Sequence, residues 1–228
     1  MKQLVLDIAP PPAPTFENFV PGRNAELAAA LRALAAGASG ERFIYLWGGD
    51  GGGRSHLLRA VIDAARRNGR RTAWFDANAA ALDAADDAFC AVDDVHLLGT
   101  DAQIALFNLH NRIRAGSGAL IASGNAAPAQ LRLRADLMTR LASGLVYQVH
   151  GLNDEEKSAA LRRHADARGF RLSQEVADYL LRRARRDMPS LLALLDALDR
   201  YSLETKRAIT LPLLRELLGD YGTTDGHR

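Results

Sequence analysis

Cysteine is almost missing from this sequence: its 228 residues include one, Cys90, set in an apolar run. A lone cysteine builds no disulfide framework and no cysteine-based metal centre, and the six histidines are scattered rather than placed at ligand spacing. An excess of charge of one sign is also missing. Twenty-nine Lys and Arg stand against 27 Asp and Glu, a net charge of +2, too small to suggest a protein that coats nucleic acid. No apolar run approaches the roughly 20 residues needed to span a bilayer. The opening stretch MKQLVLDIAPPPAP has a short apolar segment interrupted by Asp7, which does not suit a signal peptide. These absences predict a protein of the reducing cytoplasm, neither exported nor attached to a membrane. With 48% hydrophobic and 25% charged residues, the composition is that of a globular protein whose length suits one functional unit with a sizeable core.

Proline is concentrated at one end. Five of the eight prolines lie between Pro10 and Pro21, so residues 1–21 are expected to form an extended, mobile arm. Beyond it, Asn24 is placed to cap a helix made from the Ala and Leu run Ala25 to Ala36, and Gly37 to end it. FIYLW from Phe43 is short, apolar and aromatic and reads as a buried strand. TAWF from Thr72, AFCAV from Ala88, ALIAS from Ala119 and LVYQV from Leu145 read the same way, with helical or polar stretches between them. Five strands alternating with helices predict a parallel α/β sheet. From Asn153 onward strands give way to helices. Asn153 and Glu156 are spaced as a capping box, Ser173 can cap a helix with Val176, Leu180 and Ala184 on one face, and a last helix lies near Pro212.

Directly after the first strand comes GGDGGGRS: Gly48, Gly49, Asp50, Gly51, Gly52, Gly53, Arg54 and Ser55. This matches the phosphate-binding loop G-x-x-x-x-G-K-[ST] except that Arg54 replaces lysine. Glycines let backbone N–H groups converge on phosphate oxygens, and the following helix aims its positive end at the same charge. Ser55 would reach a magnesium ion, and Arg54 would supply the cation. Arginine is larger and planar, which suits holding phosphates better than placing a terminal one for hydrolysis. A phosphate loop calls for an apolar strand ending in acid, and AFCAVDDVH ends in Asp93 and Asp94. Alone, such a pair is more often a solvated turn; with the loop at this spacing, Asp93 becomes a magnesium ligand with Ser55, and Asp94 stands near an attacking water. Aspartate is shorter than glutamate, so weak water activation is expected of this chain alone. His56, next to Ser55, reads as helix packing or capping at the loop.

Taken together these residues resemble the AAA+ family of the bacterial replication initiator DnaA, and within it the shortened Hda branch, over essentially the whole chain. TFENFVPGRN from Thr15 resembles the family segment beside the adenine and ribose, which brings Phe19 and Val20 to the nucleotide. YLWGGDGGGRSHLL from Tyr45 resembles the Hda branch, which shares the loop arginine. IASGNAAP from Ile121 resembles the sensor I segment, with Asn125 next to the γ-phosphate position. DLMTRLASGLV from Asp136 resembles the segment with the arginine finger, placing the finger at Arg140. DMPSLLALL departs from the family: Pro189 stands where the sensor II arginine would fall, with Arg185 and Arg186 nearby.

The resemblance implies an AAA+ P-loop module with a parallel five-stranded sheet and a small C-terminal helical lid. Its parts are an arm over 1–21, a nucleotide-binding α/β part over 22–150 and a lid over 151–228. QLVLDI resembles the short motif by which replication proteins dock on the DNA polymerase III sliding clamp (its β subunit), through Gln3, Leu4, Leu6 and Ile8. An extended peptide with alternate apolar side chains suits a hydrophobic groove. The chain ends about ten residues after its last predicted helix, so the DNA-binding domain of the initiator is expected to be absent.

The implied activity is negative regulation of replication initiation. Docked on the DNA-loaded clamp, and so meeting DNA indirectly, the chain would hold ADP and Mg, ADP in preference to ATP. It would insert Arg140 in trans to promote hydrolysis of ATP bound to DnaA, with little ATPase activity of its own. A homo-oligomer is also allowed. The expected location is the cytoplasm, associated with the nucleoid through the clamp. The alternatives are a clamp-docking P-loop adaptor that delivers proteins to DNA, and an autonomous AAA+ ATPase. The basic run Arg182, Arg183, Arg185 and Arg186 reads as a solvated helical face, or as a contact for an acidic partner surface or DNA.

Overall fold

The structure is a computed structural model that describes residues 13–38, 40–79, 81–184 and 187–219. Its contacts divide into two compact units, one over Pro14–Gly151 and a helical one from Leu152 onward.

In the first unit, helix α1 (Ala25–Ala35) leads to strand β1 (Phe43–Trp47), α2 (Arg54–Arg67), β2 (Thr72–Phe75), β3 (Phe89–Val92), α3 (Thr100–Ala115), β4 (Ala119–Gly124), α4 (Ala135–Ala142) and β5 (Leu145–Gln148). The strands form one sheet in the order β2-β3-β4-β1-β5, and every neighbouring pair is parallel. Ile44 lies opposite Ile121 on one side and Leu145 on the other. All five predicted strands are present. Because β1 is covered on both faces it is apolar without alternation. Its odd and even residues nevertheless separate: Ile44 and Leu46 pack with Leu31, Leu57 and Val61 of α1 and α2, while Phe43 and Tyr45 pack with Leu109, Ile113 and Leu137 of α3 and α4. The sheet is thus the middle of three layers, and each fully buried Leu or Ile contributes about 1.5–3 kcal/mol.

Two expectations about the start of the chain need correction. Residues 14–21 are not part of a mobile arm. Phe16 is buried in the α1/α2 layer, Arg32 donates to its carbonyl at 3.1 Å, and the Arg32 guanidinium lies 4.8 Å from its ring centroid. Burial of the Phe16 ring offsets the entropy lost on ordering this segment, to which its prolines add little because their φ is already fixed. Asn24, in turn, makes no side-chain cap to α1. Its amide instead donates to the carbonyl of His150 and accepts from the His150 N–H, each at 2.8 Å. A short 3₁₀ turn over Gly22–Asn24 leads into the helix in place of the cap.

The helical unit holds α5 (Asp154–Ala167), α6 (Gln174–Arg183), α7 (Met188–Thr205) and α8 (Leu211–Leu217). Both halves of the Asn153–Glu156 capping box are formed, and Ser173 caps α6 through the Val176 N–H. Its core gathers Leu161, Val176, Leu180, Leu191, Leu195, Leu198 and Leu213. Pro189 occupies the first turn of α7, where its missing N–H costs nothing, and Asp187 caps the same turn through the Ser190 N–H at 2.9 Å. Among the described residues no helix is long and apolar enough to cross a membrane.

Candidate nucleotide site

In a parallel sheet all strands end on one edge, and that edge gathers the predicted residues: the glycine loop after β1, Asp93 and Asp94 after β3, and exposed Asn125 after β4. The crevice outside the carboxyl ends of such strands is where ligands bind in open α/β sheets.

The loop needs several of its glycines. A Cβ on Gly48 would lie 2.4 Å from the carbonyl oxygen of Val149, backbone against backbone. Gly53, at φ +100, would press a Cβ to 3.1 Å from the Phe19 ring, and Gly51 has φ +70. The Gly52 N–H donates to the Gly49 carbonyl at 3.2 Å, closing the turn before α2 begins at Arg54. Phe19 thereby covers the end of the loop. His56 faces this same segment: its Nε2 lies 2.9 Å from the Thr15 carbonyl, its ring is 5.4 Å from that of Phe19, and burial lowers its pKa. It ties the 14–20 segment to α2, and Val20, next to Phe19 in sequence, is half-buried.

Arg54 is buried, with 7% of its surface exposed. Its Nη2 donates to Asp50 Oδ1 at 3.2 Å and lies 3.3 Å from Asp94 Oδ1, whereas its buried Nη1 has no hydrogen-bond partner. A buried cationic N–H without an acceptor, at the start of the helix that follows a glycine loop, fits the phosphate oxygens of a nucleotide.

Asp93 is buried and accepts the Ser123 hydroxyl at 2.5 Å, and the Ser123 oxygen also accepts the Asp94 N–H at 3.1 Å. The sequence alone marks Ser123 only weakly. The available signal was a hydroxyl within the otherwise apolar strand ALIASG, which a buried strand tolerates only with a partner. Gly124 is required for a similar reason, since a Cβ there would lie 2.1 Å from the Tyr45 hydroxyl. That hydroxyl donates to the Ala126 carbonyl at 2.9 Å, and burial raises its pKa. Asp94 adopts left-handed backbone at φ 49 and ψ 51, and its pKa is raised by burial and by the neighbouring Asp93. Among the described residues no three His, Cys, Asp or Glu side chains converge as a metal site. Ser55, in the first turn of α2, and Asp93, just after β3, carry oxygen donors of the kind magnesium takes beside substrate phosphates.

Arg140 lies elsewhere. It is in the last turn of α4, just before β5, whose first residue Leu145 pairs with Ile44 near the start of β1. It lines a small cavity with Phe43, His110 and Leu120, and its guanidinium is 5.6 Å from the Phe107 ring centroid. The length of β1, about 15 Å at ~3.3 Å per residue, separates this edge from the glycine loop. Gln3, Leu4, Leu6 and Ile8, with Arg185 and Arg186, lie outside the described residues; Arg182 and Arg183 end α6.

Two family models match the chain: that of the Hda lid domain over residues 154–218, and that of the bacterial DnaA ATPase domain over residues 12–80. Among solved structures, domain III of the Thermotoga maritima replication initiation protein DnaA is similar over 92% of this chain and 97% of its own, at 21% identity and a TM-score of 0.69. AMPPCP-bound DnaA from Aquifex aeolicus is similar over 86% of this chain and 70% of its own, at 20% identity and a TM-score of 0.67. A point mutant of Thermotoga maritima RuvB covers 91% of this chain and 72% of its own at 13% identity, with a TM-score of 0.63. At these identities the structural likeness is one of fold. With a phosphate-loop segment that matches the DnaA model and a helical unit that matches the Hda lid, the chain belongs to the DnaA-homologous AAA+ proteins of the Hda type.

Proposed function

We propose that this chain is a DnaA-related regulator of replication initiation that binds a nucleotide, ADP in preference to ATP, and presents Arg140 to the ATP held by DnaA. The observation that carries the reading is the separation of Arg140 from the chain's own phosphate loop across the sheet. An arginine on the opposite edge cannot serve its own site, but it is available to a neighbour's. A guanidinium inserted there stabilises charge developing on the transferred phosphoryl group, an effect of roughly 10³ to 10⁵ in rate where it has been measured. On the loop side, the unpartnered Arg54 Nη1 and the glycines support phosphate binding, and Ser55 and Asp93 would hold magnesium. Bound there, the metal would neutralise phosphate charge. Phe19 covering Gly53, together with Val20, supports a place for the base and ribose, and Asn125 lies at the strand end that faces a terminal phosphate in this reading. ADP is preferred because three features weaken the handling of a γ-phosphate: Asp94 is a short second carboxylate, Arg54 stands in place of lysine, and Pro189 offers no cation where a sensor arginine would stand. Gln3, Leu4, Leu6 and Ile8 dock on the sliding clamp, which brings the chain to DNA and to DnaA in the cytoplasm.

The test is the rate at which ATP-bound DnaA hydrolyses its nucleotide in the presence of this protein, ADP, magnesium and DNA-loaded clamp. Stimulation is expected with the parent chain and its loss with Arg140→Ala. Equal stimulation by both proteins would remove Arg140 from the reaction. No stimulation by either would favour an adaptor that only docks on the clamp.

A further inference from the structure

Nucleotide binding alone does not explain how Arg54 is held. Its side chain is 8% exposed, and a guanidinium so deeply buried needs a counter-charge. Of its two carboxylate neighbours, Asp50 is 96% exposed and therefore well screened, whereas Asp94 is 34% exposed. Asp94 is thus the stronger counter-ion. Yet its Oδ1 lies at ion-pair distance from Arg54 Nη2 without hydrogen-bond alignment, and Nη1 beside it stays unpartnered. The pairing balances charge without satisfying the donors, a loose hold that a better acceptor can take over. His96 Nδ1, 3.9 Å from the same Oδ1, also lacks a hydrogen-bond partner. Asp94 is kept in this place by left-handed backbone and by the Ser123 hydroxyl oxygen that accepts its N–H.

We propose that Asp94 is a built-in rival of the nucleotide's phosphates for Arg54, so that nucleotide enters only by taking the guanidinium from this carboxylate. The proposal rests on the nucleotide-binding reading above. Arg54 Nη1 is ready to meet the first phosphate oxygen, and Nη2 follows as Asp94 is released. The released carboxylate is left beside buried Asp93 without the Arg54 counter-charge, an arrangement that opposes entry and weakens affinity for ADP and ATP alike. The loop therefore binds less tightly than its glycines and cation would permit.

Isothermal titration of Mg-ADP into the full chain tests this with the parent, Asp94→Asn, Arg54→Gln and the double variant. Asparagine tolerates left-handed backbone, so the turn should survive; Asp94→Gly, free of that constraint, is the second variant. Asp94→Asn is expected to bind ADP roughly tenfold more tightly, the scale of one charge-assisted hydrogen bond. In the Arg54→Gln background the same change should alter affinity less than about twofold, because coupled residues are non-additive. Parent binding with no gain in Asp94→Asn or Asp94→Gly sinks the proposal and leaves nucleotide binding standing. A gain that persists in the Arg54→Gln background also overturns it, since Asp94 would then act by plain repulsion of phosphate. If neither parent nor Asp94 variants take up ADP, the nucleotide reading falls with it.

Discussion

The Asn24 amide and the backbone of His150, 126 positions apart in sequence, are joined by two hydrogen bonds of 2.8 Å each. The pair fastens the turn before α1 to the segment that follows β5. That segment includes Val149, whose carbonyl faces Gly48. The clip therefore holds one wall of the glycine loop. Asn24→Ala removes both bonds and leaves a buried site without its amide, a loss of about 2 kcal/mol. A urea unfolding series should show a lower midpoint at unchanged slope, with weaker ADP binding from a loosened loop wall.

Adjacent glycines of the loop should respond unequally to an added methyl. Gly48→Ala sets a Cβ 2.4 Å from a backbone oxygen that cannot swing away, whereas a Cβ on Gly49 meets nothing within 4 Å. Thermal melts should place Gly49→Ala within about 0.5 kcal/mol of the parent and Gly48→Ala well below it, by about 1–3 kcal/mol. Comparable melts for the two variants would show that the loop is not held against Val149.

Ser123→Ala tests the link between β4 and the acidic pair. Its hydroxyl is donor to Asp93 and acceptor from the Asp94 N–H, so the alanine takes the hydroxyl donor from a buried carboxylate and leaves the Asp94 N–H only its 3.2 Å bond to Asp93 Oδ1. The expected cost is about 1–3 kcal/mol in stability. Magnesium-dependent nucleotide binding should fall as well, because Asp93 loses the contact that orients it; an intact magnesium dependence would detach Asp93 from the metal.

His110 sets a pH dependence. Its ring is buried against Phe43, centroids 4.3 Å apart, and neither ring nitrogen has a hydrogen-bond partner. Burial, with Arg140 and Arg114 nearby, pushes its pKa down to about 4 from 6.5. The unfolded chain then holds the extra proton between those values, so this contribution is fully present above about pH 6.5 and is lost as pH falls toward 4. It amounts to about 3 kcal/mol at most. Asp94 and His56 also titrate with folding, so the difference between parent and His110→Leu isolates the effect: that difference should shift in favour of the leucine variant between pH 7.5 and pH 5 in urea unfolding. A constant difference would mean that the imidazole takes up its proton within the folded state.

Much of this molecule follows from short stretches of sequence, because the interactions concerned are local. FIYLW, TAWF and ALIAS carry strand character in their own side chains, Asn153 and Glu156 meet across one helical turn, and the glycine loop takes its shape from backbone freedom within six residues. Tertiary structure decided whatever depends on partners remote in the chain. Asn24 has the chemistry of a helix cap, yet the backbone of His150 takes both its hydrogen-bonding groups. Phe16 sits in a proline-rich stretch that reads as an arm, yet an apolar layer built from α1 and α2 buries it. Asp94 reads from sequence as a water-activating carboxylate, but only the folded loop brings Arg54 beside it. Arg140 is a single residue of an amphipathic helix until the sheet order sets it on the edge opposite the phosphate loop. Local propensity chose the elements; burial and charge neutralisation, which act through space, chose the partners.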